Sequence, residues 1–188
     1  VTSWEASQEL ASSVGHSSIA VNSDNLARIA FYETSSTSLA YGRNLTGAAW
    51  DYVNVDNEAD VGQECSLALA TAAGVERPRI CYLDADASKL KLAWNTGLQW
   101  CNNHYVGPVA AAPAYPSLAL DPSTLLPRVS FYDSANGLMY SSLVAPADPV
   151  LTVSDQTTGS LFYTNTQAVD IKIEHWPIWG RNEDGEAN

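Results

Sequence analysis

Three arginines open closely similar segments: Arg28-Ile-Ala-Phe-Tyr-Glu33, Arg79-Ile-Cys-Tyr-Leu-Asp84 and Arg128-Val-Ser-Phe-Tyr-Asp133. A guanidinium offers a rigid fork of donors suited to carboxylates, phosphates and paired oxygens. Arranged around a channel, Arg28, Arg79 and Arg128 could hold an anionic ligand. Within a fold, each could instead pair with an acid of its own or the next unit, such as Glu33, Asp84 or Asp133. Recurrence favours the structural role, because a fold requirement returns in every unit and a catalytic group does not. Aromatic residues keep the same rhythm. Trp50, Trp100, Tyr41 and Tyr140 are the candidate ligand-binding residues, since aromatic faces stack on sugar C–H surfaces while nearby Asn and Asp take hydroxyls. The competing reading is that these rings, with Tyr32, Tyr82, Trp94 and Tyr132, fill the wedge between packed sheets.

No catalytic set accompanies them. His16, His104 and His175 fall at unmatched positions, and G-x-S-x-G, H-E-x-x-H and phosphate-binding glycine loops are absent. An enzyme is not expected; a glycoside hydrolase, the remaining catalytic alternative, would need two carboxylates brought together in space. The acidic stretches Asp51 to Asp60 and Asp84-Ala-Asp86 offer the oxygen ligands that calcium takes, without the spacing of an established calcium loop. No cofactor or metal site is expected, with calcium left open. Cys81 alternates within a strand and reads as a small buried apolar residue. Cys65 and Cys101 are the candidate disulfide if the compartment is oxidising. There is no C-x-x-C pair to suggest zinc. Asn44-Leu45-Thr46 is a glycosylation sequon on an expected turn.

The elements that must position these groups are themselves repeated. The arginine segments lie 51 and 49 residues apart, a spacing that marks an array of similar units. Ser18-Ile-Ala-Val21, Ser66-Leu-Ala-Leu69 and Ser117-Leu-Ala-Leu120 precede them. Ser38-Leu-Ala-Tyr-Gly42, Lys89-Leu-Lys-Leu-Ala93 and Gly137-Leu-Met-Tyr-Ser141 follow, and Trp50 and Trp100 each open a fourth segment. Segments this short, rich in Ile, Val, Tyr and Phe and broken by turn residues, predict strands rather than helices. In the first arginine segment, Ile29, Phe31 and Glu33 share one face and Arg28, Ala30 and Tyr32 the other. Asn136-Gly137 predicts a hairpin that places Phe131 and Leu138 on adjacent strands. The expected fold is all-β, a propeller-like array of four-stranded antiparallel blades with a period of about 49 residues.

Ser117-Leu-Ala-Leu-Asp121, Pro127-Arg-Val-Ser-Phe-Tyr-Asp133 and Asn136-Gly-Leu-Met-Tyr140 resemble a repeat of secreted and cell-surface bacterial β-propellers, sialidase-like in architecture. The sialidase Asp-box, Ser-x-Asp-x-Gly-x-Thr-Trp, is absent, so the resemblance is structural. A weaker similarity runs to fucose-binding propeller lectins, whose blades also join an arginine strand to a downstream Trp. The implied organisation is an end-of-repeat segment at 1–16, blades at 17–65, 66–116 and 117–159, and a divergent partial blade with a polar tail at 160–188. The ring closes if the tail and the Trp4 segment complete a fourth blade; otherwise open edges pair with neighbouring chains.

Composition narrows the function. A chain of 188 residues with 46% hydrophobic and 16% charged residues can bury a core. The net charge of −12 argues against nucleic acid as a partner. No apolar run approaches the length that spans a bilayer, so membrane insertion is not expected. Val1 in place of Met indicates processing or a start within a longer product. The reading is a non-catalytic extracellular or cell-surface module for binding or assembly, with other protein subunits or glycans as partners. A carbohydrate-binding lectin is the alternative.

Overall fold

The structure, a computed structural model, describes residues 7–46, 49–72, 74–107 and 113–143. The chain divides into two units, Val1–Val144 and Ala145–Asn188, and every described residue belongs to the first. The Trp4 segment, the strand expected near Val150-Val153 and the tail from 160 onward lie outside the described residues.

Eleven strands and no helix occur among the described residues. The first sheet holds β1 (Val14–Val21), β2 (Ala27–Glu33), β3 (Ser38–Asn44) and β4 (Trp50–Asp56) in that order. The second holds β5 (Val61–Ala72), β6 (Val75–Asp84), β7 (Lys89–Asn95) and β8 (Trp100–Tyr105), also in chain order. A third contains β9 (Pro113–Leu120), β10 (Pro127–Asp133) and β11 (Gly137–Ser142), with β10 in the middle. All pairings are antiparallel, as short alternating segments joined by tight turns require. The arginine segments are β2, β6 and β10.

The repeat extends into backbone geometry. His16, Glu64 and Tyr115 have φ of 36°, 50° and 54°, and each sits where the first strand of its sheet slips register against the second. An extra residue in the left-handed region is the signature of a β-bulge, which sharpens the local twist. The acids that close the arginine strands serve the following turn. Glu33 accepts from the Ser36 hydroxyl at 2.6 Å, Asp84 from the Ala87 amide at 2.9 Å, and Asp133 from the Ala135 and Asn136 amides at 2.8 and 3.1 Å. They cap turns and do not pair with the repeated arginines.

Alternation along each strand sends one set of side chains to each neighbouring sheet. Leu39, Tyr41 and Val55 of the first sheet pack against Leu67, Ile80 and Tyr82 of the second. Leu90, Leu92 and Val106 of the second meet Leu118, Val129 and Phe131 of the third in the same way. A serine reinforces each junction: Ser18 Oγ accepts the Leu67 amide and Ser66 Oγ the Leu118 amide, both at 3.0 Å. The first junction also encloses a charged group. Lys91 Nζ lies 2.6 Å from Asp56 Oδ2, which also accepts the Tyr82 hydroxyl at 2.6 Å, and all three residues are buried.

The candidate Cys65–Cys101 disulfide is not formed, and all three thiols are free. Cys65 is on β5 and Cys101 on β8, opposite edges of one four-stranded sheet. Three strand spacings separate them by roughly 14 Å, whereas a disulfide needs Cα atoms within about 7 Å. Cys65 points instead into the first junction, where its Sγ contacts the Ala30 carbonyl at 3.4 Å and burial pushes the thiol up to about 12. Cys81 is fully buried, and burial pushes it up to about 12 as well.

Candidate functional site

Antiparallel order puts the β1–β2, β3–β4, β5–β6 and β7–β8 turns at one end of the first two sheets, where a cleft of about 820 Å³ opens between them. Asn22, Arg28, Tyr41 and Tyr52 line it from the first sheet, Glu76 and Trp100 from the second.

Local sequence sets each of these groups. Asn22 Oδ1 accepts the amides of Asp24 and Leu26 at 3.0 and 2.9 Å, an Asx turn that leaves its amide nitrogen directed across the cleft. That nitrogen donates to Glu76 Oε2 at 3.0 Å. Glu76 is the second residue of β6, just after the turn at Gly74, whose φ is +76°. Trp100 opens β8 after a turn in which Asn95 Oδ1 accepts the Gly97 amide at 2.7 Å and Gly97 supplies φ of +95°.

Glu76 is the hub. Its Oε1 accepts Arg28 Nε at 2.6 Å and the Tyr41 hydroxyl at 3.1 Å. Arg28 also donates to the Ala27 and Asn44 carbonyls at 3.1 and 2.9 Å, so its plane is locked. Burial by itself would raise the Glu76 carboxyl. The hydrogen bonds from Arg28 and Asn22, with the Arg28 charge and the Tyr41 hydroxyl, outweigh it and hold the group below the usual carboxylate range. Burial, then the charge and hydrogen bond of Glu76, push the Tyr41 phenol up, so it stays a neutral donor. Trp100 meets the Tyr41 ring edge-on, with centroids 5.2 Å apart and planes at 63°.

A depressed carboxyl contributes stability that is complete above its unfolded value near 4.5 and is lost as pH falls through the folded value. Wild type is therefore expected to lose more stability than Glu76→Gln between about pH 5 and pH 2. Urea unfolding of both proteins across that range checks this, and parallel curves would contradict it.

The predicted site residues separate. Tyr41 and Trp100 meet in the cleft. Trp50 stands behind Tyr52, the rings stacked at 6.2 Å and 12°, and its buried indole nitrogen has no hydrogen-bond partner among the described residues. Gly42 makes room for that stack, since a Cβ there would come within 2.8 Å of the Tyr52 ring. Tyr140 belongs to the third sheet, is exposed, and accepts from Arg128 at 2.8 Å. Asn44, the sequon asparagine, closes β3 and is 6% exposed.

The three arginines have three environments. Arg28 pairs with Glu76. Arg79 donates to the Arg77, Pro78 and Asn95 carbonyls at 3.3–3.4 Å, and burial followed by the Arg77 charge lowers its pKa. Arg128 is exposed and pairs with Asp121 at 2.8 Å. Glu76, Asn22 and Tyr52 were not singled out from sequence. One signal was present for Glu76: the residues three before Arg28 and Arg128 are Asn25 and Leu125, so this acid departs from the repeat.

Among the described residues, no group of three or more His, Cys, Asp or Glu could hold a metal ion. Asp51 pairs with Arg43 at 2.6 Å, Asp56 with Lys91, and Asp60 accepts Tyr32 and Gln63. No helix among those residues is long and apolar enough to cross a membrane.

No protein-family model matches the chain, and no curated protein does. Among solved structures the chain is similar to a fucose lectin from Kordia zhangzhouensis, determined in complex with methyl-fucoside. The two share 12% identity with a TM-score of 0.51 over 69% of this chain and 93% of the other. At that identity the likeness is one of fold alone.

Proposed function

We propose that this chain is a non-catalytic, extracellular carbohydrate-binding module of β-propeller type, whose sheets are successive blades and whose sugar site is the cleft at the first junction. The observation that carries it is the union, in one cleft and from two sheets, of an aromatic pair, Tyr41 and Trp100, with the Arg28–Glu76 ion pair. The half-buried Trp100 ring, held edge-on by the buried Tyr41, offers an apolar face to sugar C–H groups, and Glu76, Asn22 and Arg28 offer oriented partners for hydroxyls. The fold likeness to a fucose lectin supports the same class.

The electrostatics favour a neutral sugar. Each cation lining the cleft has a carboxylate 2.6 Å away, Arg28 with Glu76 and Arg43 with Asp51, while Asp24 adds negative charge. A sialic or uronic acid would meet no uncompensated positive group. A general acid for glycoside hydrolysis needs a raised carboxyl pKa, whereas that of Glu76 is lowered.

Titration with methyl-fucoside and a panel of neutral and sialylated glycans tests the proposal. Wild type is expected to bind neutral glycans, and Trp100→Ala and Glu76→Gln each to weaken binding at least about tenfold, equivalent to 1.4 kcal/mol. Trp50→Ala, which removes only the support behind Tyr52, is expected to cost less. Absence of neutral-glycan binding, or full binding by both cleft variants with circular dichroism unchanged, would overturn it.

A further inference from the structure

We infer that the outer face of the third sheet docks the first sheet of a second copy of this chain, head to tail. The two internal junctions define what such a contact requires. Leu39 and Leu90, equivalent residues of β3 and β7, are each 0% exposed because a following sheet covers them; Leu138, their counterpart on β11, is 83% exposed. Tyr41 and Leu92 are 4% and 5% exposed, and their counterpart Tyr140 is 63%. The third sheet thus presents the residues by which the first two receive a successor.

The first sheet presents the other half. Leu67 and Leu118, on β5 and β9, are 7% and 9% exposed against a preceding sheet, whereas their counterpart Ile19 on β1 is 65% exposed. The serine contact has the same polarity at both junctions: Ser18 receives the amide of Leu67, which follows Ser66, and Ser66 receives that of Leu118, which follows Ser117. By that rule Ser117 of one copy receives the amide of Ile19, which follows Ser18, from the next. One chain therefore carries both halves of a contact it already makes twice, which makes a second copy the matching occupant. Such a contact is heterologous. Three sheets are too few for a ring, but two copies supply six, within the four to eight that close one.

The test is mass by light scattering over a concentration series, using the full chain. Wild type is expected at twice the 20.2 kDa of one chain, and Ile19→Lys and Leu138→Lys each as monomers. Because both positions are exposed within one copy, each variant is expected to keep the wild-type circular dichroism spectrum. Mixing the two variants pairs the intact third-sheet face of Ile19→Lys with the intact first-sheet face of Leu138→Lys, and a one-to-one complex is expected. Larger wild-type species abolished by the same variants would show the contact without closure. Monomeric wild type at every concentration would overturn the inference, as would a mixture that forms no complex. None of these substitutions touches the proposed sugar cleft, so the two readings fail separately.

Discussion

Lys91→Met is expected to destabilise the protein by about 3–5 kcal/mol, because it leaves the Asp56 carboxylate buried without its cation. Asp56 is 2% exposed, and its remaining partners are the Tyr82 hydroxyl at 2.6 Å and the Glu58 amide at 3.2 Å. Two neutral donors offset only part of the desolvation of a carboxylate. The double variant Asp56→Asn/Lys91→Met removes both charges and keeps an acceptor for Tyr82, so it is expected to recover most of the loss. Urea unfolding of the single and double variants separates the effect of one orphaned charge from the worth of the pair. A single-variant loss below about 1 kcal/mol would mean that water reaches Asp56 and the junction is open there. The equivalents of Lys91 in the other two sheets are Ala40 and Met139, so the pair is specific to the first junction and ties together the sheets that form the cleft.

Gly62→Ala is expected to cost roughly 3 kcal/mol or more, combining an unfavourable backbone conformation with overpacking against backbone. Gly62 adopts φ of +105°, and a Cβ on it would lie 2.7 Å from the Leu39 Cα and 2.8 Å from the Leu39 nitrogen. The neighbour is main chain, so relief requires moving β3 away from β5 and loosening the first core. Gly74→Ala is the control: its φ is +76°, yet nothing lies within 4 Å of the added Cβ. It is expected to lose only the conformational part, about 1 kcal/mol. Equal losses at the two positions, measured by thermal or urea unfolding, would show that the close approach of the sheets contributes nothing.

Strand content and order were legible in the sequence because both are local. Period-two alternation in Arg28–Glu33 and Arg128–Asp133, and Asn136-Gly137 at the hairpin, specify extended segments and tight reversals irrespective of what packs on them. The burial of Cys81 was legible for the same reason: its neighbours share its alternation. Partners across sheets were not legible. An acid in its own or the next unit is what the repeat offers Arg28, without saying which: Glu33 serves the turn of its own strand, and the partner is Glu76 of the next sheet. Cys65 and Cys101 seemed close because both flank the same unit, until strand order put them at opposite edges.

By itself, the sequence determined an all-β chain of repeated antiparallel strands, its turn positions, and a set of arginines and aromatic rings at matching places. Alternation and turn chemistry act over a few residues, and a repeat displays them several times. Only the tertiary structure decided which of those residues share a cleft. Tyr41, Trp100, Arg28 and Glu76 come from two sheets, and their meeting depends on how sheet twist and core packing set one sheet against the next. That relation is long-range. It is fixed by groups such as Gly62 and the Lys91–Asp56 pair, whose importance lies in the approach of distant backbone and not in any neighbour along the chain.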